Sequence, residues 1–302
     1  MRLPPCRSLA SGAALFFVTM PIFAEDSKFD WFKPLSSLSG EYSAEVTYVG
    51  EADVRRGQRS VPDFDESNLI LRAILTPRTK FGVLRLGLEW ERFSFGFPAL
   101  TALPNTLQST NLVIGLDTQF SDSILARIEL QPGVYGTNNL DLDTLNVPIL
   151  VGGTYIYRPD LQFVLGISID FERKYPVLPG AGVRWKFHRQ WVLNAVLPKP
   201  RLEFNPYKDL ELYVGANIKE TNFRVDDRFG STHSIPRLNN AVLTYSEVRT
   251  GVGFDWKLSP AVTLTAEAGY EPYRTFDFYR ANVTYREDGS APYGMISLHG
   301  AF

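Results

Sequence analysis

The sequence predicts an all-β fold: one antiparallel up-and-down transmembrane β-barrel of twelve to fourteen strands. Three observations carry that prediction. Apolar side chains recur at every second position over stretches longer than soluble strands usually run. Short and long polar connections alternate along the chain, as in a barrel with tight turns at one rim and longer loops at the other. The chain ends on Phe302, which closes an alternating segment.

The N-terminus comes first in the chain and reads as an export signal. Arg2 and Arg7 precede an apolar run from Leu9 to Val18, broken only by Ser11 and Gly12. Pro21 ends the run, and Ala24 before Glu25 and Asp26 marks a cleavage point, although Ile22 stands where a small residue is preferred. The run is shorter than the roughly 20 apolar residues of a spanning helix. Residues 1–24 are therefore expected to be a signal peptide. The only cysteine, Cys6, lies inside it, so the mature chain has no thiol and suits an oxidising compartment. Residues 25–40, with Phe29, Trp31, Phe32 and Pro34, read as a periplasmic lead-in, and residues 41–302 as the barrel.

The strands follow from the alternation. Leu84, Leu86, Leu88 and Trp90 alternate with Arg85, Gly87, Glu89 and Glu91. Ile124, Ala126, Ile128 and Leu130 stand opposite Leu125, Arg127 and Glu129. Phe163 to Phe171 and Val262 to Tyr270 repeat the pattern, and Val248 to Trp256 alternates with Arg249, Gly251, Gly253 and Asp255. Successive side chains of a strand point to opposite faces, so each stretch has one greasy and one polar face. The polar face is rich in Gly, Arg, Glu and Asp, which suits a narrow lumen where opposite charges pair. The expected strands are 41–50, 66–76, 81–95, 108–120, 123–133, 147–157, 161–172, 179–188, 190–197, 200–206, 209–225, 240–257, 260–278 and 291–302. Pro198 and Pro200 interrupt the tenth, and proline cannot donate to a ladder. If that hairpin does not cross, the count falls to twelve.

Tight turns are expected at 76–80, 120–123, 158–160, 188–190, 206–209 and 258–260. Long loops are expected at Gly50–Glu66, Phe95–Leu107, Gly133–Asn146, Asp226–Asn239 and Tyr279–Ala291. Aromatics near strand ends, among them Phe93, Phe95, Tyr155, Tyr157, Trp185, Trp191 and Trp256, suggest interfacial girdles. Ile296, Leu298 and Phe302 share one face of the last strand and resemble the C-terminal signal read by the barrel assembly machinery.

The runs NVPILVGG (Asn146–Gly153), YRPD (Tyr157–Asp160), YPVLPGAGVRW (Tyr175–Trp185) and LPKPRLEF (Leu197–Phe204) resemble a family of Gram-negative bacterial proteins that carries a domain-of-unknown-function label. The resemblance is clear over Asp143–Val225. It implies an outer-membrane β-barrel and brings neither a substrate nor catalytic residues.

Function is the harder reading. With 31 Lys and Arg against 33 Asp and Glu, no basic field points to nucleic acid. The three histidines, His188, His233 and His299, lie far apart in sequence and suggest no metal site. Ser297 and His299 share a face, yet a nucleophile and its base must lie within about 3 Å with a third group orienting the base, so a solvated pair is the expectation. Asn138–Asp143 lacks the spaced ligands and turn glycine of a calcium loop. No cofactor and no enzyme activity are expected. The lumen-facing charges are expected to be Arg85, Glu89, Arg127, Glu129, Asp170, Arg184, Lys186, Arg201, Glu203, Glu247, Arg249, Asp255 and Glu267, with Arg72, Glu91 and Glu172 beside them. They either line a pore or pair into a network that stiffens the barrel. The expected role is an outer-membrane barrel serving as a small-solute channel. The alternatives are a non-conducting structural or binding barrel, a lipid hydrolase or a soluble exported β protein. The expected partners are outer-membrane lipid and, during biogenesis, the assembly machinery.

Overall fold

The computed structural model describes residues 39–98, 101–138 and 140–302. The expected signal peptide and all of the lead-in before Ser39 lie outside the described residues. Every strand segment joins one sheet, whose wall counts fourteen strands. In chain order these are β1 (Gly40–Arg56), β2 (Arg59–Leu75), β3 (Gly82–Gly96), β4 (Thr106–Ser121), β5 (Ile124–Leu130), β6 (Ile149–Arg158), β7 (Leu161–Ile169), β8 (Val177–Trp185), β9 (Trp191–Asn194), β10 (Arg201–Tyr207), β11 (Leu210–Arg224), β12 (Val242–Ser259), β13 (Val262–Phe278) and β14 (Ala291–Ala301).

Each strand pairs antiparallel with the next, and β14 returns to β1 in register from Glu41↔Ala301 to Val49↔Tyr293. Reciprocal backbone bonds of 2.9 and 3.0 Å tie Gly40 to Phe302. Closure leaves no unpaired edge, the condition for a sheet that spans hydrocarbon. Among the described residues no helix is long and apolar enough to cross a membrane.

The alternation sorts side chains as lipid requires. On β7, Phe163, Leu165 and Ile167 are exposed outward, Leu165 by 65%, while Gln162 and Ser168 on the other face are buried. A water-soluble barrel would not leave its aliphatic stripe outside and its amide and hydroxyl inside. The turn rim holds the two-residue connections 122–123, 159–160, 208–209 and 260–261. Exposed Phe81, Phe120, Tyr157, Trp185, Tyr207, Trp256 and Phe302 ring it, a girdle of amphipathic and apolar rings at an interface.

The proline-bearing hairpin stays in the wall. β9 pairs with β8 through Arg184↔Asn194 and Trp185↔Leu193, and β10 pairs with β11. Beyond Arg201 the two prolines serve as acceptors: Pro200 O receives Ala216 N at 2.9 Å and Pro198 O receives Ile218 N at 3.0 Å. A missing N–H therefore costs nothing on that edge.

Apart from Gly133–Asn146, whose ends Gly133–Gly136 and Leu145–Asn146 are paired strand rather than loop, the loop rim departs from expectation in two places. Gly50–Glu66 is not a loop, because β1 and β2 continue to a turn at 57–58, where Gly57 has φ 61°. Tyr279–Ala291 likewise contains Val283–Asp288, which pairs with both β13 and β1. It continues into β14 across an interruption at Gly289, φ 113°. Both extensions are polar at the positions where a lipid-facing strand would be apolar, so composition alone reads them as loops.

The inner face of β3 shows how the interior is layered. Arg85, Glu89 and Glu91 are followed on the same face by Phe93 and Phe95, exposed by 0% and 6%. These two phenylalanines were expected in a girdle. They instead join Phe64, Tyr245 and Phe276 in an internal aromatic cluster, with ring centroids 4.8–5.7 Å apart for Phe93–Tyr245, Phe95–Phe276 and Phe95–Tyr245. Two loops add to it: Leu103 from the β3–β4 connection, and Phe229 and Leu238 from the β11–β12 connection. The interior is thus ionic toward the turns and aromatic toward the loops.

Candidate functional site

The site is the lumen. In its turn-side half the charges lie in two groups on opposite walls. On one, Arg85 reaches Glu41 at 3.3 Å and Glu129 at 3.6 Å, Arg127 holds Asp117 through two bonds of 2.5 and 2.7 Å, and Arg72 lies 3.4 Å from Glu89 and 3.5 Å from Glu129. On the other, Arg201 meets Asp255 at 3.3 Å and Glu267 at 3.9 Å, and Arg184 meets Glu203 at 3.7 Å. Glycine makes room here. A Cβ on Gly253 would stand 2.5 Å from the Tyr213 hydroxyl, and one on Gly251 2.6 Å from the Tyr293 hydroxyl. Both tyrosines donate to Glu267, and the Arg201 guanidinium stacks 3.8 Å over the Tyr213 ring.

Farther in, pairs span the lumen. Lys219 of β11 binds Glu91 of β3, and its ammonium sits 4.7 Å over the Phe93 ring. Arg249 bonds Glu247 at 2.7 Å and the Thr47 hydroxyl at 2.8 Å. Asp170, just past β7, receives Asn222 of β11 at 2.6 Å and Asn146 at 3.0 Å. Beside the aromatic cluster, buried Arg274 lies 3.0 Å from Glu66, 3.1 Å from Glu271 and 3.0 Å from Glu287.

Of the expected lumen charges, all but one lie on or beside this inner surface. Lys186 does not. β8 ends at Trp185, so Lys186 stands exposed in the 186–190 turn at the rim. Glu172 also sits toward the loops, bonded to Arg224 at 2.7 Å and Arg280 at 3.1 Å. Ile296, Leu298 and Phe302 face outward.

Sequence reading missed Glu66, Lys219, Glu271 and Arg274. Glu66 had been placed at a loop boundary. Glu271 and Arg274 fall on either side of a bulge in β13: Val248 pairs with Tyr273 but Thr250 with Tyr270. The extra residue flips the phase of the alternation, so both side chains point inward although they are three apart. A break in the period-two pattern after Tyr270 was the available signal.

Some of these side chains, among them Arg72, Glu89, Glu91, Lys219 and Arg249, line a cavity of about 330 Å³. It runs from Glu41 and His299 near the turn rim to Tyr135, Asp170 and Arg173 near the loops. Its lining carries six carboxylates and five Lys or Arg side chains. At its loop end Tyr135 lines it from the segment Gly133–Gly136, which is paired to β4 and meets Arg224 of β11 at Gly136. Ser297 and His299 both line the cavity, and no hydrogen bond joins them. His188 and His233 lie in the 186–190 turn and the β11–β12 connection. Of the Asn138–Asp143 run, Leu142 and Asp143 lie in a short exposed turn at Leu142–Thr144.

A closed antiparallel ring with a greasy exterior and a charged interior defines an outer-membrane β-barrel protein. The chain belongs to the family described as a domain of unknown function (DUF6268), whose model matches residues 94–286. No curated protein matches it. Among solved structures it is similar to the COG4313 outer membrane channel from Pseudomonas putida F1, at 10% identity over 92% of this chain and 100% of that one, TM-score 0.50. It also matches the Pseudomonas putida toluene transporter TodX at 9% identity over 89% and 90% of the two chains, TM-score 0.41. A third match is the KdgM porin in complex with disordered oligogalacturonate, at 11% identity over 85% and 99%, TM-score 0.34. At these identities the likeness is one of fold.

Proposed function

We propose that this protein is an outer-membrane channel for ions and small polar solutes, narrowed at its loop end. The observation that carries the reading is the polar cavity inside the closed ring, open to charged side chains over most of its length. Its near-balanced signs predict weak ion selectivity, since strong selectivity needs rings of one sign. The shared fold with an outer membrane channel supports the reading. Folded protein reconstituted into planar bilayers is expected to give small current steps with little preference for cation or anion. Silence from both this protein and the widened variant argued in the Discussion overturns the proposal. The aromatic cluster and the cross-lumen Lys219–Glu91 pair favour a second reading, a barrel that is structural and never conducts, and the same recordings decide between them.

The biogenesis route belongs to the same proposal: export through the inner membrane by residues 1–24, then insertion into outer-membrane lipid by the assembly machinery, which reads the last strand. Phe302 supports this through its exposed ring and its backbone pairing with Gly40. Deleting Phe302 is expected to lower the amount of folded, heat-modifiable protein in outer-membrane fractions several-fold. Undiminished assembly would exclude a role for the terminal residue.

A further inference from the structure

We propose that Glu66, Glu247 and Glu271 form a binding site for a hard divalent cation, calcium in preference to magnesium, buried against the aromatic cluster. The three come from β2, β12 and β13, and each offers a carboxylate oxygen such that all three atoms lie within 4.8 Å of one another. None is more than 1% exposed.

Two further observations point to a ligand. First, oxygens are left over. The Tyr245 hydroxyl stands 2.5 Å from Glu66 Oε2 and 2.9 Å from Glu247 Oε2, and its one proton serves only one of them at a time. Arg274 Nε stands 3.1 Å from Glu271 Oε1. Glu66 Oε1 and Glu271 Oε2 remain buried with no hydrogen-bond donor. Buried carboxylate oxygens without a partner are costly. Second, the charges do not cancel. With Glu287, four buried carboxylates face two guanidiniums, Arg249 and Arg274. A divalent cation removes the excess of two negative charges.

The chemistry selects the ion. An all-carboxylate donor set suits calcium, magnesium or manganese better than zinc, whose sites are built mainly on histidine nitrogen and cysteine sulfur. Oxygens no more than 4.8 Å apart share a centre within about 2.8 Å, so small shifts reach the 2.3–2.6 Å of a calcium–oxygen bond. Magnesium demands shorter bonds and keeps its waters, and a pocket this closed leaves them little room. Arg249, bonded to Glu247, lines the polar cavity, so the site lies one side chain away from the lumen. Once bound, it ties three strands together where the ionic interior meets the aromatic one.

The test uses the full folded protein in detergent, stripped of metal with a chelator. Added calcium is expected to raise the unfolding temperature saturably, with one ion retained per chain by elemental analysis. Terbium is expected to give emission excited through tyrosine, since Tyr245 touches two of the ligands. Glu271→Gln should weaken both responses at least tenfold. Glu203→Gln, at a buried acid in the turn-side half, should leave them unchanged. Glu66→Gln replaces Glu271→Gln if the latter does not fold. No calcium response up to millimolar concentrations overturns the site, as does a response equally strong in Glu271→Gln and Glu66→Gln. Magnesium acting as strongly as calcium overturns the stated preference.

Discussion

Replacing Arg274 with methionine is expected to destabilise the folded barrel by about 3–5 kcal/mol, the usual result of removing one partner from a buried ion pair. Arg274 is fully buried and its guanidinium serves Glu66, Glu271 and Glu287 from one position, each at 3.0–3.1 Å. Methionine fills much of the same volume and returns no charge, so three carboxylates that cannot reach water face one another. The cation also lies 4.7 Å over the Phe64 ring, so its loss loosens the aromatic cluster. Urea unfolding of protein in lipid vesicles, followed by heat-modifiable gel migration, measures the change. Arg55→Met is the control. Arg55 bonds Asp288 at 2.6 Å, but both side chains are about half exposed, and exposed pairs contribute about 0–1 kcal/mol. If the two variants unfold at the same urea concentration, the Arg274 cluster is not what holds β2 to β13.

The contrast between those two arginines shows what the sequence could and could not convey. Period-two alternation marks Arg85, Arg127 and Arg249 as inward, because the strands that carry them are unbroken. It also yields twelve to fourteen strands, and the structure decides for fourteen by keeping the proline-bearing hairpin in the wall. It misplaces Arg274 because the bulge in β13 adds a residue and reverses the phase. It misplaces Phe93 and Phe95 for another reason. An aromatic residue near a strand end suits an interface, and only the fold shows that the inward face of β3 changes from ionic to aromatic there. The carboxylates of Glu66, Glu247 and Glu271 converge from positions up to 205 residues apart, through strand pairings around the ring. No spacing rule reaches that far, whereas the acidic run at Asn138–Asp143, conspicuous in the sequence, ends in an exposed turn.

Shortening the hairpin between β5 and β6 is expected to raise single-channel conductance at least tenfold. Past Leu130 the hairpin continues in the wall, with Gly133–Gly136 paired to β4 and Leu145–Asn146 paired back to Gly133 and Val134. Tyr135 is buried, and its hydroxyl donates to Gln131 O at 3.0 Å. Gly136 meets Arg224 on the far wall, which narrows the loop end of the cavity beside the aromatic cluster that Tyr135 joins. Gly133 and Asn146 are register partners, so residues 134–145 can be replaced by an Asn-Gly turn, which suits a two-residue hairpin, without pulling β5 and β6 apart. The variant removes Tyr135 and the Gly136–Arg224 contact but leaves the Lys219–Glu91 pair and the cluster residues Phe64, Phe93, Phe95, Tyr245 and Phe276 in place. Conductance depends most on the narrowest cross-section, so a large rise locates that constriction at the hairpin. A rise only after Lys219 and Glu91 are both also replaced by alanine would move the constriction to their cross-lumen bridge. No current even then, from protein that still shows heat-modifiable migration, would leave the barrel without a conducting path and sustain the structural reading.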